Sequence, residues 1–307
     1  MVWRAAAAIE LGIADVVICA TPALPIPSNP EPRAIDPRRF FQSSSNEWGS
    51  PQAEFEIPYG NLAQNCGYAM IAQRYGAEYG YSEEAMAKLV VDQRQNGALN
   101  PLAAFYGKPT TVDEVLASKM IADPLRMLEI VMPVAGGGAV VVASREVAQR
   151  CHHRPVWITG FGEHLTIKTP TYAKDMCTTP VGPASKGAFR MAGLAPSDID
   201  AAEIYDCYTI TVLMTLEDAG FCAKGEGQHF IMNSDMTHTG SFPLNTHGGQ
   251  LGMGQAGAAG GMTQVVEAAR QIMGRAEDRQ VSACDNVYVS GTGGIMSEQA
   301  ALVLQGA

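Results

Sequence analysis

The sequence is poor in charged and aromatic residues, which make up 17% and 7% of its 307 positions, and it contains no cationic run. The 21 basic and 31 acidic side chains give a formal net charge of −10. We therefore expect neither a nucleic acid nor an anionic membrane as a partner. Because 47% of the residues are hydrophobic, the chain can bury an extensive core, and disorder is not expected.

Long hydrophobic runs are also missing. The longest apolar stretches, such as residues 5–9 and 139–143, are far too short to cross a bilayer. No charged segment followed by an apolar one resembles a leader peptide. The sequence therefore predicts a cytoplasmic location.

The cysteines and histidines lack the spacing of a disulfide framework or a metal site. The 7 cysteines are odd in number, and no Cys-x-x-Cys pair or matching histidine pattern occurs. His229, His238 and His247 recur every nine residues, but no helical or strand spacing joins them. We expect three loop histidines and no metal site.

Residues 245–261 form a segment with seven glycines that leads into an amphipathic helical pattern. A glycine-lined helix N-terminus lets backbone N–H groups approach a ligand closely and favours negative charge. The segment lacks the Gly-Lys-Ser/Thr of a P-loop and the preceding strand of a dinucleotide-binding turn. The pattern predicts a site for an oxyanion.

Helical and strand patterns alternate along the chain. The first part reads as helix 1–11 closed by Gly12 and strand 14–20, followed by an extended segment 21–58. Helices over 62–79, 82–97 and 111–117 indicate an inserted helical subdomain, and two strand-like runs follow within 125–144. From residue 156, the patterns predict helices at 183–192, 209–219 and 263–273 and strands at 201–204, 286–290 and 299–304.

The sequence pattern of helix 263–273 and the strand after it is similar to the pattern of helix 1–11 and the later valine-rich strand. We therefore predict two similar halves, 1–154 with an insertion at about 21–124, and 155–307. The second half contains a long segment before helix 263–273, and the first half has no counterpart to that segment. This difference leads us to expect that the chain is part of a longer polypeptide.

Three motifs resemble the thiolase superfamily, specifically its sterol-carrier-protein-thiolase and lipid-transfer branch, over essentially the whole chain. The first is Glu203-Ile-Tyr205-Asp206-Cys207-Tyr208, in the context where thiolases carry Asn-Glu-Ala-Phe and the sterol-carrier branch His-Asp-Cys-Phe. The second is Asn245-Thr-His247-Gly248-Gly249 followed by Gly254-Gln255-Ala-Gly257, and the third is the segment 213–227.

The resemblance implies an α/β fold, namely a duplicated thiolase-like five-layer αβαβα fold with a helical loop-domain insertion. It also implies acyl-CoA substrates and chemistry at a C–C bond beside a thioester. We expect no cofactor, since acyl-CoA and CoA take part as substrates. A homodimer is expected, with a small OB-fold, zinc-ribbon protein as a possible further partner. Fold alone does not establish activity, so each site residue has to be considered separately.

The acid/base groups of a standard thiolase are absent from the matching positions. The nucleophilic cysteine of the family would precede Met1, no cysteine follows Cys284, and Gln255 stands at the histidine position. Aldolases of the lipid-transfer branch also lack the cysteines and use a tyrosine at the position of Tyr205. They carry a second tyrosine where this chain has Gln255.

From this resemblance we predict Tyr205, Asp206 and His247 as catalytic residues. A phenol can donate a hydrogen bond to an enolate or relay a proton. For each residue a structural role is the alternative, with Tyr205 as a core aromatic, Asp206 orienting the following helix, His247 as a loop residue and Cys207 as a small buried group. The predicted substrate-binding residues are Gln255, Gly248, Gly249, Gly254, Gly257, Gly293 and Gly294.

The expected function is that of a thiolase-fold enzyme that makes or breaks a C–C bond in an acyl-CoA thioester through an enolate. Retro-aldol lysis and acyl transfer both fit this description. A CoA-dependent thiolase such as acetyl-CoA acetyltransferase is one alternative. A non-catalytic subunit that supports a partner is another.

Overall fold

The computed structural model describes residues 1–22, 55–61, 63–167 and 169–307. Most of the extended segment expected at 21–58 lies outside these residues. Helix α1 covers Val2–Glu10, and Gly12 follows it with φ of 70°. Strand β1, Val16–Pro22, then pairs along its whole length with the later strand β4, Gly137–Ala143, in antiparallel register.

The expected helical region is confirmed by three helices, α2 at Gln64–Tyr79, α3 at Glu83–Ala98 and α4 at Val112–Ala117. The side chain of Ser82 accepts a hydrogen bond from the backbone N–H of Ala85 at the start of α3. Thr111 and Glu114 form a reciprocal capping box at the start of α4. Both devices pair backbone N–H groups that a helix start leaves free.

The first of the two strand-like runs expected within 125–144 is largely wrong. Strands β2, Met120–Ala122, and β3, Leu125–Arg126, form a short hairpin, and Met127–Glu129 then form a 3₁₀ turn. The second run is confirmed as β4. The short helix α5, Arg145–Ala148, follows it, and the predicted boundary at 154/155 lies in the connection to the next strand.

The rest of the chain builds a four-stranded sheet in the order β5-β8-β7-β6. Strands β6 and β7 are parallel, and the other two pairings are antiparallel. Its strands are β5, Val156–Leu165; β6, Ala201–Glu203; β7, Asn286–Gly293; and β8, Glu298–Gly306. Its helices are α6, Val181–Ala192; α7, Thr209–Asp218; α8, Gly227–Asn233; α9, Gly249–Met253; and α10, Gly260–Ile272.

Side chains alternate across the four-stranded sheet and divide the interior into two cores. Val287, Val289 and Leu302 face helices α1 and α10, which also pack against the β1–β4 sheet. Tyr288 and Val303 face the opposite side, where α6 and α7 lie. The described residues thus form four layers in the order sheet, helices, sheet, helices, which are four of the five layers expected of a thiolase-like fold. Among these residues, no helix is both long enough and apolar enough to cross a membrane.

Candidate functional site

Tyr205 and Gln255 form a hydrogen-bonded pair at one end of the four-stranded sheet. The side-chain amide Nε2 of Gln255 donates to the Tyr205 hydroxyl at 2.5 Å. Tyr205 lies two residues after the end of β6, and Gln255 lies just after α9. The tyrosine is 8% exposed and the glutamine is half-buried, so the pair lies at the edge of the core.

The backbone on both sides of Gln255 is fixed by the segment before β4. Its N–H donates to the Met132 carbonyl, and its own carbonyl accepts from the Val134 N–H, both at 2.9 Å. The same segment holds the residues after β6, because the Val131 N–H donates to the Cys207 carbonyl. One extended stretch therefore sets the separation of the two motifs that carry Tyr205 and Gln255.

Helix α10 begins beside the phenol. A Cβ placed on Gly260, the first residue of α10, would lie 3.2 Å from the Tyr205 hydroxyl oxygen and 2.6 Å from Oε1 of Gln250. Glycine is needed here because a side chain would press on both groups. The partial positive charge of a helix N-terminus therefore lies next to the Tyr205 hydroxyl, which fits the predicted oxyanion site.

The glycine-rich segment is more ordered than the turn that the sequence suggested. It contains the short helix α9 and a 3₁₀ turn at Gly257–Ala259, and α10 starts three residues earlier than expected. Burial raises the pKa of Tyr205, with Cys207 adding to the shift. The phenol is therefore neutral near pH 7 and suited to donate a hydrogen bond.

Asp206 does not act on the helix that follows it in sequence, contrary to expectation. Its carboxylate is fully buried and accepts hydrogen bonds from the backbone N–H groups of Gln250 at 2.6 Å and Leu251 at 3.0 Å. These bonds cap α9, which is more than forty residues away in sequence. Burial raises the pKa of Asp206 to about 7, although the two N–H groups oppose this shift. The geometry gives Asp206 a positioning role.

Gly248 and Gly249 are buried, and packing accounts for both. A Cβ on Gly249 would lie 2.3 Å from Oδ2 of Asp206, and one on Gly248 would lie 2.6 Å from Cα of Gly97 in α3. Both residues also have positive φ, 105° at Gly248 and 60° at Gly249. Their predicted part in substrate binding stays a prediction, since these contacts are all within the protein.

The other predicted binding glycines lie in two places. Gly254 is buried against Val134, whereas Gly257 is exposed with nothing within 4 Å of a Cβ position. Gly293 ends β7, and the exposed Gly294 follows it with φ of 59°. The Gly294 carbonyl accepts a hydrogen bond from the Tyr68 hydroxyl at 3.2 Å. Gly257 and Gly294 are thus the members of this set that lie at the surface.

His247 lies beneath the site, 2% exposed. Its Nδ1 is 3.0 Å from Oε2 of Glu203, and its Nε2 is 3.3 Å from Oγ1 of Thr263 in α10. The contact with Glu203 lacks well-aligned hydrogen-bond geometry and becomes an ion pair when the imidazole is protonated. Burial alone would lower the pKa of His247, but the Glu203 carboxylate raises it overall. This placement gives His247 a positioning role, and its predicted catalytic role is untested.

Glu267 and Arg279 extend this group into a buried charge cluster that the sequence analysis missed. Nε of Arg279 lies 3.2 Å from Oε1 of Glu267, and both side chains are almost completely buried. The Thr246 hydroxyl lies 3.0 Å from carboxylate oxygens of both Glu203 and Glu267 and can donate its one proton to either. We name Glu203, His247, Glu267 and Arg279 the buried charge cluster. No signal in the sequence pointed to it, because Glu267 lies opposite Val265, Val266 and Ala269 on a helical projection.

A second set of aromatic residues, also missed, surrounds Cys207. The Tyr68 and Tyr208 rings stack with centroids 4.0 Å apart, and the Cys207 thiol donates to the Tyr68 hydroxyl at 3.3 Å. Burial raises the pKa of Cys207 to about 11, so it is not a thiolate near pH 7. These contacts favour the structural alternative for Cys207.

Within the described ranges, no three His, Cys, Asp or Glu side chains are grouped so that they could share a metal ion. The three regularly spaced histidines are also in different environments. His229 and Glu226 form a distant exposed contact, His238 is half-buried, and His247 belongs to the buried charge cluster.

Comparisons with known proteins identify relatives over nearly the whole chain. A family model described as thiolase C-terminal domain-like matches residues 162–306. A steroid side-chain-cleaving aldolase of Thermomonospora curvata is 32% identical over 312 residues, covering 95% of this chain and 74% of that protein. The 17-hydroxy-3-oxo-4-pregnene-20-carboxyl-CoA lyase of Mycobacterium tuberculosis is 33% identical, with coverages of 95% and 75%.

Two further similarities bear on the chemistry. An acetyl-CoA acetyltransferase of Methanothermobacter thermautotrophicus is 32% identical over 265 residues, covering 85% of this chain and 67% of that protein. Among solved structures, an Ltp2-ChsH2(DUF35) aldolase superposes with a TM-score of 0.87 at 32% identity and covers 99% of this chain and 76% of that one.

Proposed function

Since this chain belongs to the thiolase superfamily, within its sterol-carrier-protein-thiolase and lipid-transfer branch, we propose that it cleaves a C–C bond in an acyl-CoA thioester by a retro-aldol reaction. Two relatives more than 30% identical over 95% of the chain carry the names aldolase and lyase. These enzyme names argue against the non-catalytic alternative.

One observation in the site supports this proposal above the others. The Tyr205 hydroxyl oxygen accepts from Gln255, while its own proton has no acceptor among the described residues. A neutral phenol with a free proton, beside the N-terminus of α10, suits a developing negative charge on a thioester oxygen. Tyr205 therefore acts as the donor to the enolate.

The reaction balances without an added reactant. A base removes the proton of the β-hydroxyl group, the bond between the α and β carbons breaks, and the hydroxyl carbon becomes a ketone or aldehyde. The electron pair passes to the thioester as an enolate, which takes up a proton at the α carbon. No cofactor is needed, because hydrogen bonds and the helix N-terminus stabilise the enolate.

The names of the relatives indicate which acyl group to test first. One cleaves a steroid side chain, and the other acts on a 20-carboxyl-CoA ester of a hydroxylated steroid. We extend this substrate class, a steroid-derived β-hydroxyacyl-CoA, to the present chain as a proposal.

The proposed assembly is a homodimer with a small partner subunit. The similar aldolase structure is a complex of Ltp2 with ChsH2(DUF35), which supports a partner of that kind here. The expected cytoplasmic location also belongs to this proposal.

The proposal is tested by incubating the purified protein, alone and with its partner subunit, with a β-hydroxy steroid acyl-CoA. We expect the ketone and the shortened acyl-CoA to form in equal amounts without free CoA, as measured by liquid chromatography and mass spectrometry. Cleavage that depends on free CoA would contradict the aldolase assignment.

The CoA-dependent thiolase is the second candidate. The acetyl-CoA acetyltransferase relative favours it, but the residues in this chain do not supply its acid/base groups. Gln255 is an amide, which cannot exchange a proton near neutral pH. The buried Cys207 has a raised pKa and hydrogen bonds to Tyr68 and lies outside the expected position of the second cysteine.

A further inference from the structure

The side-chain amide of Gln255 has one donor group in use and its acceptor atom free. Its Nε2 donates to the Tyr205 hydroxyl, and no donor among the described residues contacts its Oε1. The backbone of Gln255 is held on both sides by the segment 132–134. Because the backbone is fixed and the side chain is half-buried, this amide has little freedom to form a hydrogen bond with another group.

The direction of this hydrogen bond determines what the pair offers a ligand. The phenol oxygen uses a lone pair to accept from Gln255, so the phenol proton is left to donate elsewhere. The amide carbonyl remains as an acceptor, and the second N–H of the amide remains as a further donor. Because an amide oxygen lies about 2.2 Å from its nitrogen, the site places the phenol donor and the amide acceptor only a few Å apart.

A β-hydroxyacyl thioester carries the complementary pair of groups. Its carbonyl oxygen accepts a hydrogen bond, its hydroxyl group donates one, and three consecutive carbons join the two. A saturated acyl chain lacks the hydroxyl, and a β-oxo chain presents an acceptor where the site also presents an acceptor. A mismatch of two acceptors in a partly buried site is costly because neither atom is paired.

We propose that Gln255 is the residue that selects β-hydroxyacyl thioesters, by holding Tyr205 as a donor to the thioester carbonyl and accepting a hydrogen bond from the substrate hydroxyl with its own Oε1. This inference rests on the proposed function, because it concerns the same site. It also assigns the two residues different tasks. The amide cannot take the hydroxyl proton, so Gln255 orients the substrate, and Tyr205 stabilises the enolate.

The inference is tested with three CoA ligands that share one acyl chain and differ at the β carbon, as hydroxyl, oxo or saturated. An amide replaces the thioester in each so that they bind without turnover, and calorimetry gives each dissociation constant. We expect the β-hydroxy ligand to bind at least about tenfold tighter than either of the others, as one hydrogen bond in a partly buried site implies.

Two variants identify the residue responsible. Gln255→Leu should abolish this preference, and Gln255→Asn, which keeps both an amide donor and an amide acceptor, should retain part of it. The exposed Gln149 gives a matched control, and Gln149→Leu should bind all three ligands like the unaltered protein. Thermal unfolding of each variant shows whether a change in binding reflects misfolding.

The outcomes separate this inference from the proposed function. Tighter binding of the β-oxo ligand would show that the amide N–H faces the ligand, and equal binding of all three, or a preference that survives in Gln255→Leu, would show that Gln255 selects nothing. Each of these results overturns the inference while CoA-independent cleavage can still hold. Absence of cleavage with an intact hydroxyl preference would instead overturn the retro-aldol assignment alone.

Discussion

The glycine-rich segment presents different chemistry on its two sides. On the open side, Tyr205 and Gln255 are hydrogen-bonded to each other and leave the phenol proton, one amide N–H and the amide oxygen without a partner among the described residues. On the inner side, the buried charge cluster, with Thr246 and Thr263, uses its polar groups on other protein groups. Thr263 connects the sides, since it contacts His247 and also accepts from Gln250 beside Gly260.

This difference distinguishes residues that can contact a ligand from residues that support the site from within the protein. A polar group that is paired within the protein has lost its capacity for a ligand, whereas one that is partly exposed and unpaired keeps it. By this criterion Tyr205 and Gln255 belong to the reacting surface. Asp206, His247, Glu267 and Arg279 form the support beneath it, although the sequence motif places Asp206 directly after Tyr205.

Tyr205→Phe should have the largest effect on activity. It keeps the ring and removes the hydroxyl that donates to the enolate, so the rate of cleavage should fall by about 10²–10⁴ with the melting temperature unchanged. Steady-state kinetics and thermal unfolding measure the two effects. The exposed Tyr172 provides the control, and Tyr172→Phe should cleave normally. Full activity in Tyr205→Phe would assign Tyr205 to the support.

Arg279→Met should have the largest effect on stability. It leaves the buried carboxylate of Glu267 without its cation, which costs about 3–5 kcal/mol in the free energy of unfolding. Urea titration followed by circular dichroism gives this value. Arg275→Met, at an exposed arginine in the same connection, should change it by less than about 0.5 kcal/mol. Similar values for the two variants would mean that the cluster is not a support.

Gly249→Ala should destabilise the protein more than Gly257→Ala. Both glycines have positive φ, 60° and 50°, so each alanine substitution lowers the free energy of unfolding by about 1–2 kcal/mol because of the left-handed backbone. At Gly249 the new Cβ also presses on the Asp206 carboxylate, which adds about 1–3 kcal/mol, whereas at Gly257 the space is open. The difference in unfolding free energy between the two variants measures the contact with Asp206.

Per unit of pH, the change in stability should be the smallest of these effects. Asp206 and His247 both have a pKa above the ordinary value, 3.8 and 6.5, so the folded protein binds protons more tightly than the unfolded chain. The free energy of unfolding should therefore fall as pH rises from about 4 to 7 through Asp206, and further above 6.5 through His247, by at most about 1.4 kcal/mol per pH unit for each proton.

Urea titrations between pH 5 and 8 follow this dependence. His247→Gln should remove the part of the decline above pH 6.5 and leave the part that comes from Asp206. A free energy of unfolding that rises across this range would contradict the directions of both pKa shifts.

Local signals in the sequence were sufficient for most of the fold. The helical patterns at 82–97 and 111–117 predicted α3 and α4, and the caps that Ser82 and Thr111 supply are local because capping depends on neighbours in sequence. The apolar residues of β7 and β8 likewise predicted these two strands. The run at 125–144 was misjudged because a two-residue strand and a 3₁₀ turn carry no measurable period.

The site was predictable where a motif carried it and unpredictable where distant contacts built it. Tyr205 and Gln255 came from two motifs fifty residues apart, and the structure joins them directly. Helix α9 escaped prediction because five residues with two glycines have weak helical preference, and Asp206 supplies its cap from another motif. The pairing of Glu267 with Arg279 likewise depends on tertiary packing.

The close approach of α3 to α9 has a mechanical consequence. Their backbones meet at Gly97 and Gly248, and the adjoining loop is tied to α9 by a hydrogen bond from the Ala104 N–H to the Met253 carbonyl. Two helices in backbone contact cannot slide or tilt without a clash, so the wall that they form behaves as one rigid plate. Any widening that admits a bulky acyl chain must therefore come from parts of the site other than this contact.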